Sequence, residues 1–591
     1  MSITFVILII AILLFVSDRL RPDLVALLTM LALGLSGVLT SDETFSGFSR
    51  SAVIAIIAIF ILADGLRRTG IAEKLGEMLI RLGGKGETRL VFTVTLAGAV
   101  LSLFMNNIAA ASVLLPAISG AARKAGISPS RLLMPLAFGT ILGGMATLLT
   151  TTNILVSGIL REHGLDGFGL LDFAPVGIPV VIAGTLYMAL IGWRLLPAQA
   201  HPGPFAEPQG EHDIQGVYRL NERLIRGRVF SGSPLVGKPI RQSQLREKYK
   251  LNIVAIQRGK QINESFSPEM LLKTGDILHL IGRLDLIPVS ELESALELFT
   301  LPDLDLPEIG LVEVVLTPRS ELVGKTLRDA HFREKYHLNA LAIWRAGRAY
   351  RTGHADMPLT FGDALLLQGL PESITMLQTE PELLVLAGQT VSIHKRKALL
   401  ASLVMLATLI MAAFAPFSTG EVMLGGALVM VLVGVLNMDQ AYHAIEWKSV
   451  FLVAGMLPLG TALAKTGAAA LLGNGLVGAL GNAGSLVLLA GLLGLTILCT
   501  QVMNGAAVAA IMAPIGIQIG QMVGIDPRSL VMGVALATSV AFITPLGHPV
   551  NVLVMGPGGY KFGDYAKVGV LLTLLTLGVI LIFLHLFWPW K

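Results

Sequence analysis

Apolar runs near bilayer length constrain this chain before anything else does. They fall at about 3–16, 22–40, 51–66, 132–160 and 174–196, and again at about 398–415, 420–437, 448–464, 529–557 and 566–589. Between the two sets, roughly 200–397 carries most of the charge, in a chain that is 53% hydrophobic and 14% charged. This is the pattern of an α-helical polytopic membrane protein with a soluble insert. The net charge of +4 is small, and there is no basic tract with interleaved aromatics to read nucleic acid. A single cysteine, Cys499, excludes an internal disulfide and any multi-cysteine metal site. The N-terminal MSITFVILIIAILLFVSDRL lacks a positive n-region and a cleavage motif, so it reads as the first span.

Two stretches do not fit simple spans. Residues 90–122 are too long for one crossing and too short for two with a loop, and Asn106 and Asn107 stand at their centre. A re-entrant hairpin with its tip at Met105–Ile108 fits the length. A second hairpin candidate covers about 484–520, with its tip at Val502–Gly505. At such a tip two helix ends meet with orphan donors and acceptors. Asparagine satisfies these groups or offers a cation its side-chain oxygen. Before the first hairpin, Ile71, Leu75, Met78, Leu79 and Leu82 recur at helical spacing among charges, predicting an amphipathic helix in the interface.

Two of the apolar runs are chemically interrupted. The run at 132–160 contains GGMATLLTTTN at 143–153, and the run at 529–557 leads into AFITPLGHPVNVLVMGPGGY at 541–560. Threonines and asparagines at membrane depth are costly unless they pair or bind something. Pro545, Gly547 and Pro549 beside Thr544, His548 and Asn551 predict unwound backbone, which is tolerated there only if buried or lining a polar cavity. The glycine-rich end, Gly556–Tyr560, reads as a plain loop. The bland alternatives are hydroxyls bonded back to their own helix, and a histidine that only hydrogen-bonds.

The insert contains an internal repeat. Leu235–Lys238 recurs at Leu322–Lys325, Arg246–Tyr249 at Arg333–Tyr336, and Gly275–Asp276 at Gly362–Asp363, each 87 residues on (322 − 235, 333 − 246, 362 − 275). Alternating strands such as NIVAIQR and ALAIWRAG flank a helical REKY segment, giving two α+β modules at 215–300 and 301–390. They resemble the RCK C-terminal (TrkA-C type) domain of potassium-channel and transporter regulators. No GxGxxG accompanies them, so a dimerising or structural role is the expectation, with ligand sensing the alternative.

The membrane halves, 1–196 and 395–591, also repeat. Asp42 matches Asp439, Thr69–Gly70 matches Thr466–Gly467, and Asn107 matches Asn504, each 397 residues on, while Asn153 matches Asn551 at 398. Five crossings plus one hairpin per half make the second copy inverted. Charge agrees: with both termini outside, the outer loops hold only Arg50, Arg161, Lys465, Arg528 and Lys591, and the remaining loop cations, together with the insert, fall in the cytoplasm. Inverted repeats with discontinuous helices at mid-depth describe a secondary transporter of a cell inner (cytoplasmic) membrane.

Two asparagine-tipped hairpins, TLLTTTN and TPLGHPVN resemble the divalent anion:sodium symporter family (DASS) of the ion transporter superfamily. GHxxNxLVxGPGGYxF at 547–562 looks like its branch with cytoplasmic RCK C-terminal inserts. The resemblance implies a homodimer that carries sodium ions and a small divalent anion by elevator-type alternating access, with no cofactor beyond the coupling ions and no transition-metal site. It implies sodium ligands at Ser102, Asn106, Asn107, Thr147, Thr150, Asn504, Thr544 and Gly547. It implies an anion site at Asn107, Thr151, Thr152, Asn153, Asn504, Gly505, His548 and Asn551. The tips here read Asn106-Asn107-Ile108 and Met503-Asn504-Gly505, where the family has Ser-Asn-Thr. Ser102 matches a family sodium ligand, but its counterpart Cys499 is a poor ligand for a hard cation. The better cation site is therefore expected at the first tip.

Sulfate or a related oxyanion is the expected cargo, with a dicarboxylate next. The alternative keeps the fold and changes the chemistry, to a sodium/proton antiporter or metalloid exporter, for which Asp64 is the nearest ionisable candidate. A channel regulated by the insert is a further alternative. No HExxH or GxSxG suggests an enzyme.

Overall fold

The computed structural model describes residues 2–17, 19–84, 86–197, 395–481 and 484–588 of the membrane halves. Within 224–387 it describes all but 244, 246–250, 260, 264–268, 282–291, 293, 300–309, 317–319, 346–347, 351–352, 361–362, 370 and 378–381. The first REKY copy (Arg246–Tyr249), Gly362 and the outer edges of both insert modules lie outside the described residues. The chain forms two compact units, 1–199 with 389–591, and 200–388.

The membrane unit is helical throughout. In the first half the helices are Ser2–Ser17, Pro22–Leu35, Ser51–Arg68, the amphipathic Ile71–Arg81, the hairpin arms Glu87–Ser102 and Asn107–Ala125, a span broken into Ser130–Gly144 and Thr151–Glu162, and Ala174–Leu195 with a π-turn at Met188–Gly192. The second half runs Lys395–Phe414, Thr419–Leu432, Trp447–Lys465, Ala468–Leu480, the arms Ser485–Thr500 and Gly505–Val523, the broken pair Pro527–Ala537 and Pro549–Gly558, and Phe562–Phe587. Six helices among the described residues are long and apolar enough to cross a bilayer.

The sequence repeat returns as repeated local structure. Gly37 and Gly434, and Gly70 and Gly467, all adopt left-handed φ of 73–74°. Thr40 with Glu43, and Asn437 with Gln440, build matching capping boxes at the same offset. These caps explain one difference from expectation. The runs at 22–40 and 420–437 stop at Leu35 and Leu432, because a left-handed glycine and a cap start a short new helix.

Three further differences follow from packing. The hairpin arms outrun 90–122, extending over 87–125, and Gly505–Val523 reaches span length by itself. The amphipathic helix buries Ala72, Gly76 and Ile80 against the first hairpin, whereas Met78 and Leu82 stay exposed. A Cβ at Gly76 would lie 2.1 Å from Leu114 Cδ2, which is why the smallest side chain takes that face. Finally, Gly556–Gly558 is the end of a helix and not a loop. Gly559 closes it at φ 64°, with Tyr560 N–H donating to Met555 O at 3.0 Å. Tyr560 then anchors it, its hydroxyl donating to Ser130 O and accepting from Met134 N–H.

The insert unit holds two five-stranded sheets. The first is built from β1 (Leu224–Arg228), β2 (Asn252–Arg258), β3 (Gln261–Asn263), β4 (Ile277–Ile281) and β5 (Glu297–Phe299). The second uses β6 (Gly310–Leu316), β7 (Asn339–Arg345), β8 (Arg348–Tyr350), β9 (Ala364–Gly369) and β10 (Leu383–Ala387). Their orders, β3-β2-β4-β1-β5 and β8-β7-β9-β6-β10, are the same. The second REKY copy lies on the helix Phe332–Tyr336. Each module carries one matched ion pair. Arg258 grips Asp276 through two contacts of 2.7 Å, and Arg345 grips Asp363 at 2.7 and 2.6 Å. Burial pushes the Asp276 carboxyl up, but the Arg258 fork and the Lys273 N–H outweigh it and hold it below the ordinary value.

Breaking such a pair strands a buried charge. Asp363 is 1% exposed, so Arg345→Met costs the second module about 3–5 kcal/mol. Hydrogen–deuterium exchange over Gly310–Gly369 rises accordingly; unchanged protection there contradicts the assignment.

Candidate functional site

The candidate site is the place where the two hairpin tips meet the two helix breaks. Each break is built the same way. Asn153 donates from Nδ2 to Thr147 O at 2.7 Å and Gly144 O at 3.4 Å. Asn551 donates to Ala541 O at 2.7 Å and Thr544 O at 3.4 Å. Each asparagine thus ties its own helix back onto the carbonyls that the break sets free. Both are fully buried, and in both Oδ1 has no partner among the described residues. Thr147 Oγ1 and Thr150 Oγ1 are likewise buried and unpartnered. These four oxygens are hydrogen-bonding atoms left available at the two breaks.

The breaks are narrow because glycines let the next spans through. A Cβ on Gly177 would fall 2.4 Å from Met145 O, and one on Gly569 2.1 Å from Phe542 O. The first hairpin is seated equally closely, since a Cβ on Gly139 or Gly143 would stand 2.2 Å from the carbonyl oxygens of Thr95 or Ala99. The second break also has an aromatic brace, in which Phe138 meets Phe542 edge-on at 5.0 Å and Tyr565 donates to Asn551 O at 2.6 Å.

The tips differ in how their asparagines are used. In the first, Asn106 caps the following helix, accepting from Ala109 N–H at 2.7 Å, and Asn107 is left for the site. Asn107 lies 2.5 Å from Ser102 Oγ and 3.0 Å from His548 Nε2. It also lines the first break, 3.0 Å from where a Gly144 Cβ would be, beside Thr150. In the second tip Met503 replaces the capping asparagine. Asn504 therefore caps for itself, accepting from Ala506 N–H at 2.9 Å. Its neighbour Gly505 reaches the other half of the chain, where a Cβ would lie 3.3 Å from Thr152 Cγ2 and 2.9 Å from Thr538 O.

His548 joins the halves. Val550 N–H faces its Nδ1 at 3.2 Å and Asn107 faces its Nε2. With Nδ1 accepting, the ring proton sits on Nε2. Asn107 Nδ2 is the atom facing Nε2, while its Oδ1 accepts from Ser102 Oγ. Two donors cannot share that contact, so we assign the Asn107 amide the other way round, oxygen to Nε2–H and NH₂ to Ser102 Oγ.

Of the residues singled out in the sequence, Ser102, Asn107, Thr150 and His548 come together around the first tip, and Thr152 with Gly505 around the second. Thr147, Asn153 and Asn551 sit in the break walls. Asn551 belongs to a helical turn and not to the unwound stretch, because the helix begins at Pro549. Thr544 is already engaged, donating to Gln501 O at 2.6 Å and accepting from Gly547 N–H at 3.2 Å. Thr151 opens the helix Thr151–Glu162.

Sequence reading missed Gln501 and Glu162. Gln501 is buried, donates to Val540 O at 2.8 Å and accepts from Ile543 N–H at 3.1 Å, so it holds the second break open. The only signal was a lone amide beside a tip. Glu162 lies 3.1 Å from Arg50 and accepts from Thr461 at 3.3 Å, linking the first broken span to two neighbouring spans. Gln501→Leu leaves the Ile543 N–H and Val540 O unpaired, at about 1–3 kcal/mol. Uptake at subsaturating anion should fall roughly fivefold or more. A wild-type rate shows that the break holds its shape without this residue.

Four helices, Asn107–Ala125, Thr151–Glu162, Gly505–Val523 and Pro549–Gly558, thus start near one another, with Asn107 beside His548 and Thr150, and Gly505 beside Thr152. No lysine or arginine belongs to either tip or either break. A many-span helical unit with helix starts and spare oxygens gathered at two breaks has the architecture of a membrane transporter. The chain belongs to the citrate transporter family (CitMHS), which it matches over residues 12–526. It is 32% identical to the uncharacterized transporter YfbS of Escherichia coli (strain K12), covering 98% of both chains. It is 33% identical to the uncharacterized transporter sll0640 of Synechocystis, covering 97% of this chain and 95% of that one. Sodium/sulfate cotransporter 1 of Chlamydomonas reinhardtii is 25% identical over 60% of this chain and 42% of its own length. The solved YdaH transporter of Alcanivorax borkumensis aligns over 98% of both chains at 15% identity and a TM-score of 0.45.

Proposed function

We propose that the protein is a sodium-coupled symporter of a small divalent anion, sulfate or a related oxyanion first and a dicarboxylate second. One observation carries the reading: four helix N-termini lie together with buried, unpartnered oxygens, and neither tip nor break contains a lysine or arginine. Helix N-termini favour anions. Four spare oxygens, on Thr147, Thr150, Asn153 and Asn551, favour a hard cation. An anion brought into a dry site without arginine or lysine needs that cation as its counter-charge, so the two travel together.

Asn107 and His548 supply a coupling step. In the arrangement described above the Asn107 oxygen is taken by the His548 Nε2–H. A sodium ion that claims this oxygen releases the N–H to the anion, so each ligand improves the site for the other. The halves are inverted repeats on this reading, with both termini outside and the insert in the cytoplasm. Hairpins and broken spans carry the site across as one elevator in each subunit of a homodimer. The sodium/sulfate cotransporters among the relatives agree with this cargo. Antiport through Asp64 is disfavoured, because its carboxylate is held by Arg67 at 2.5 and 2.9 Å and by Arg68 at 2.5 Å.

Uptake of labelled sulfate, succinate and citrate into proteoliposomes, with and without an inward sodium gradient, tests the reading. Saturable, sodium-stimulated uptake of one divalent anion is expected. Sodium-independent uptake of all three rejects it.

A further inference from the structure

Away from the transport site, a groove of about 460 Å³ opens between the amphipathic helix, the first arm of the first hairpin and the span Ala174–Leu195. Its wall is almost wholly apolar, with Leu82, Phe92, Leu96, Leu186 and Leu190 contributing. Leu82 is 73% exposed and Leu190 55%, so the groove faces outward. Its one charged lining residue is Arg89, with Thr88 beside it. Arg89 makes no ion pair or hydrogen bond with any described residue, although its neighbours are paired. Arg81 binds Glu77, and Arg131 binds Glu87 and stacks over Trp193 at 5.3 Å, as Arg194 does at 5.6 Å.

These positions set the groove's depth. A tryptophan with basic residues at a span end marks the headgroup level. From Arg89 the hairpin arm descends through Phe92 to Leu96, seven residues or about 10 Å along a helix. Along the facing span, Leu190 and Leu186 descend from Trp193 in the same direction. The groove thus has a free cation at the interface and an oily channel running inward from it.

We infer that this groove is a site for an anionic phospholipid, with the phosphate on Arg89 and one acyl chain along Phe92, Leu96, Leu186 and Leu190. Water would leave Leu82 and Leu190 exposed at a cost, a zwitterionic lipid would bring a second cation beside the arginine, and an anionic lipid satisfies both ends. The lipid would pack the amphipathic helix against the hairpin arm.

Native mass spectrometry of the full-length protein, with phosphatidylglycerol or phosphatidylcholine of matched chains added in detergent, tests this. The wild type should retain one phosphatidylglycerol in preference to phosphatidylcholine. Arg89→Gln should weaken that retention about fivefold, the worth of one basic residue at a membrane surface, and Arg89→Lys should largely restore it. Leu186→Trp, which fills the channel, should weaken it with the charge intact. Equal retention of the two lipids by the wild type, or wild-type retention by both Arg89→Gln and Leu186→Trp, overturns the proposal.

Discussion

Replacing Asn107 by alanine raises the sodium concentration for half-maximal uptake roughly tenfold to a hundredfold, the equivalent of about 1–3 kcal/mol for one charge-assisted contact. Asn107 is the side chain on which the first tip, Ser102, the first break and His548 all converge. It is free for this because Asn106 does the capping. Asn504 has no such neighbour and spends its oxygen on Ala506 N–H. Asn504→Ala therefore loses a helix cap, about 1 kcal/mol, and should disturb apparent anion affinity at least as much as sodium affinity, since Gly505 beside it faces Thr152. Sodium titrations of uptake at fixed anion, in both variants, separate these effects. Wild-type sodium dependence in a well-folded Asn107→Ala protein removes the first tip from the account.

Gly569→Ala should reduce uptake at least as severely without touching any ligand. The added carbon would stand 2.1 Å from Phe542 O and 2.4 Å from its carbonyl carbon. Both atoms are backbone, so no rotamer change relieves the clash. The break at 538–544 must move instead, taking with it the carbonyls that Asn551 holds. Displacements near 1 Å in a preorganised site can cost about a hundredfold in rate. Gly578→Ala, in the same helix with nothing within 4 Å of the new carbon, is the control and should transport normally. Gly177→Ala should repeat the defect at the first break, where Met145 O and Ala146 Cα each lie 2.4 Å away. Normal uptake by both variants at wild-type membrane abundance means that the breaks tolerate displacement.

How far the sequence could be read depended on what kind of signal each feature leaves. Spans, hairpins and breaks leave runs and interruptions of hydropathy, and the 397-residue echo ties them in pairs. The structure places matching glycine turns and capping boxes on that echo. Asn153 and Asn551 were visible because a polar residue in an apolar run is conspicuous. The division of labour between Asn106 and Asn107 was not, because only geometry shows which of two adjacent amides caps the helix. Gln501 and Glu162 were missed because each acts on a distant strand of chain, and pairings such as Gln501 with Ile543 carry no periodicity. The loop expected at Gly556–Tyr560 failed for a related reason. Turn composition was outweighed by a tertiary anchor, the Tyr560 hydroxyl bound to the backbone of Ser130 and Met134.

The central claim is that cation and anion cross together because neither is stable in the site alone. Its most direct test is the flux of the cation. Proteoliposomes containing the protein and no initial sodium gradient are given an inward gradient of the anion found to be transported, and ²²Na⁺ in the lumen is followed. The account predicts accumulation of ²²Na⁺ above its equilibrium level, which Asn107→Ala diminishes at low sodium. Anion entry with no net movement of ²²Na⁺ would contradict it.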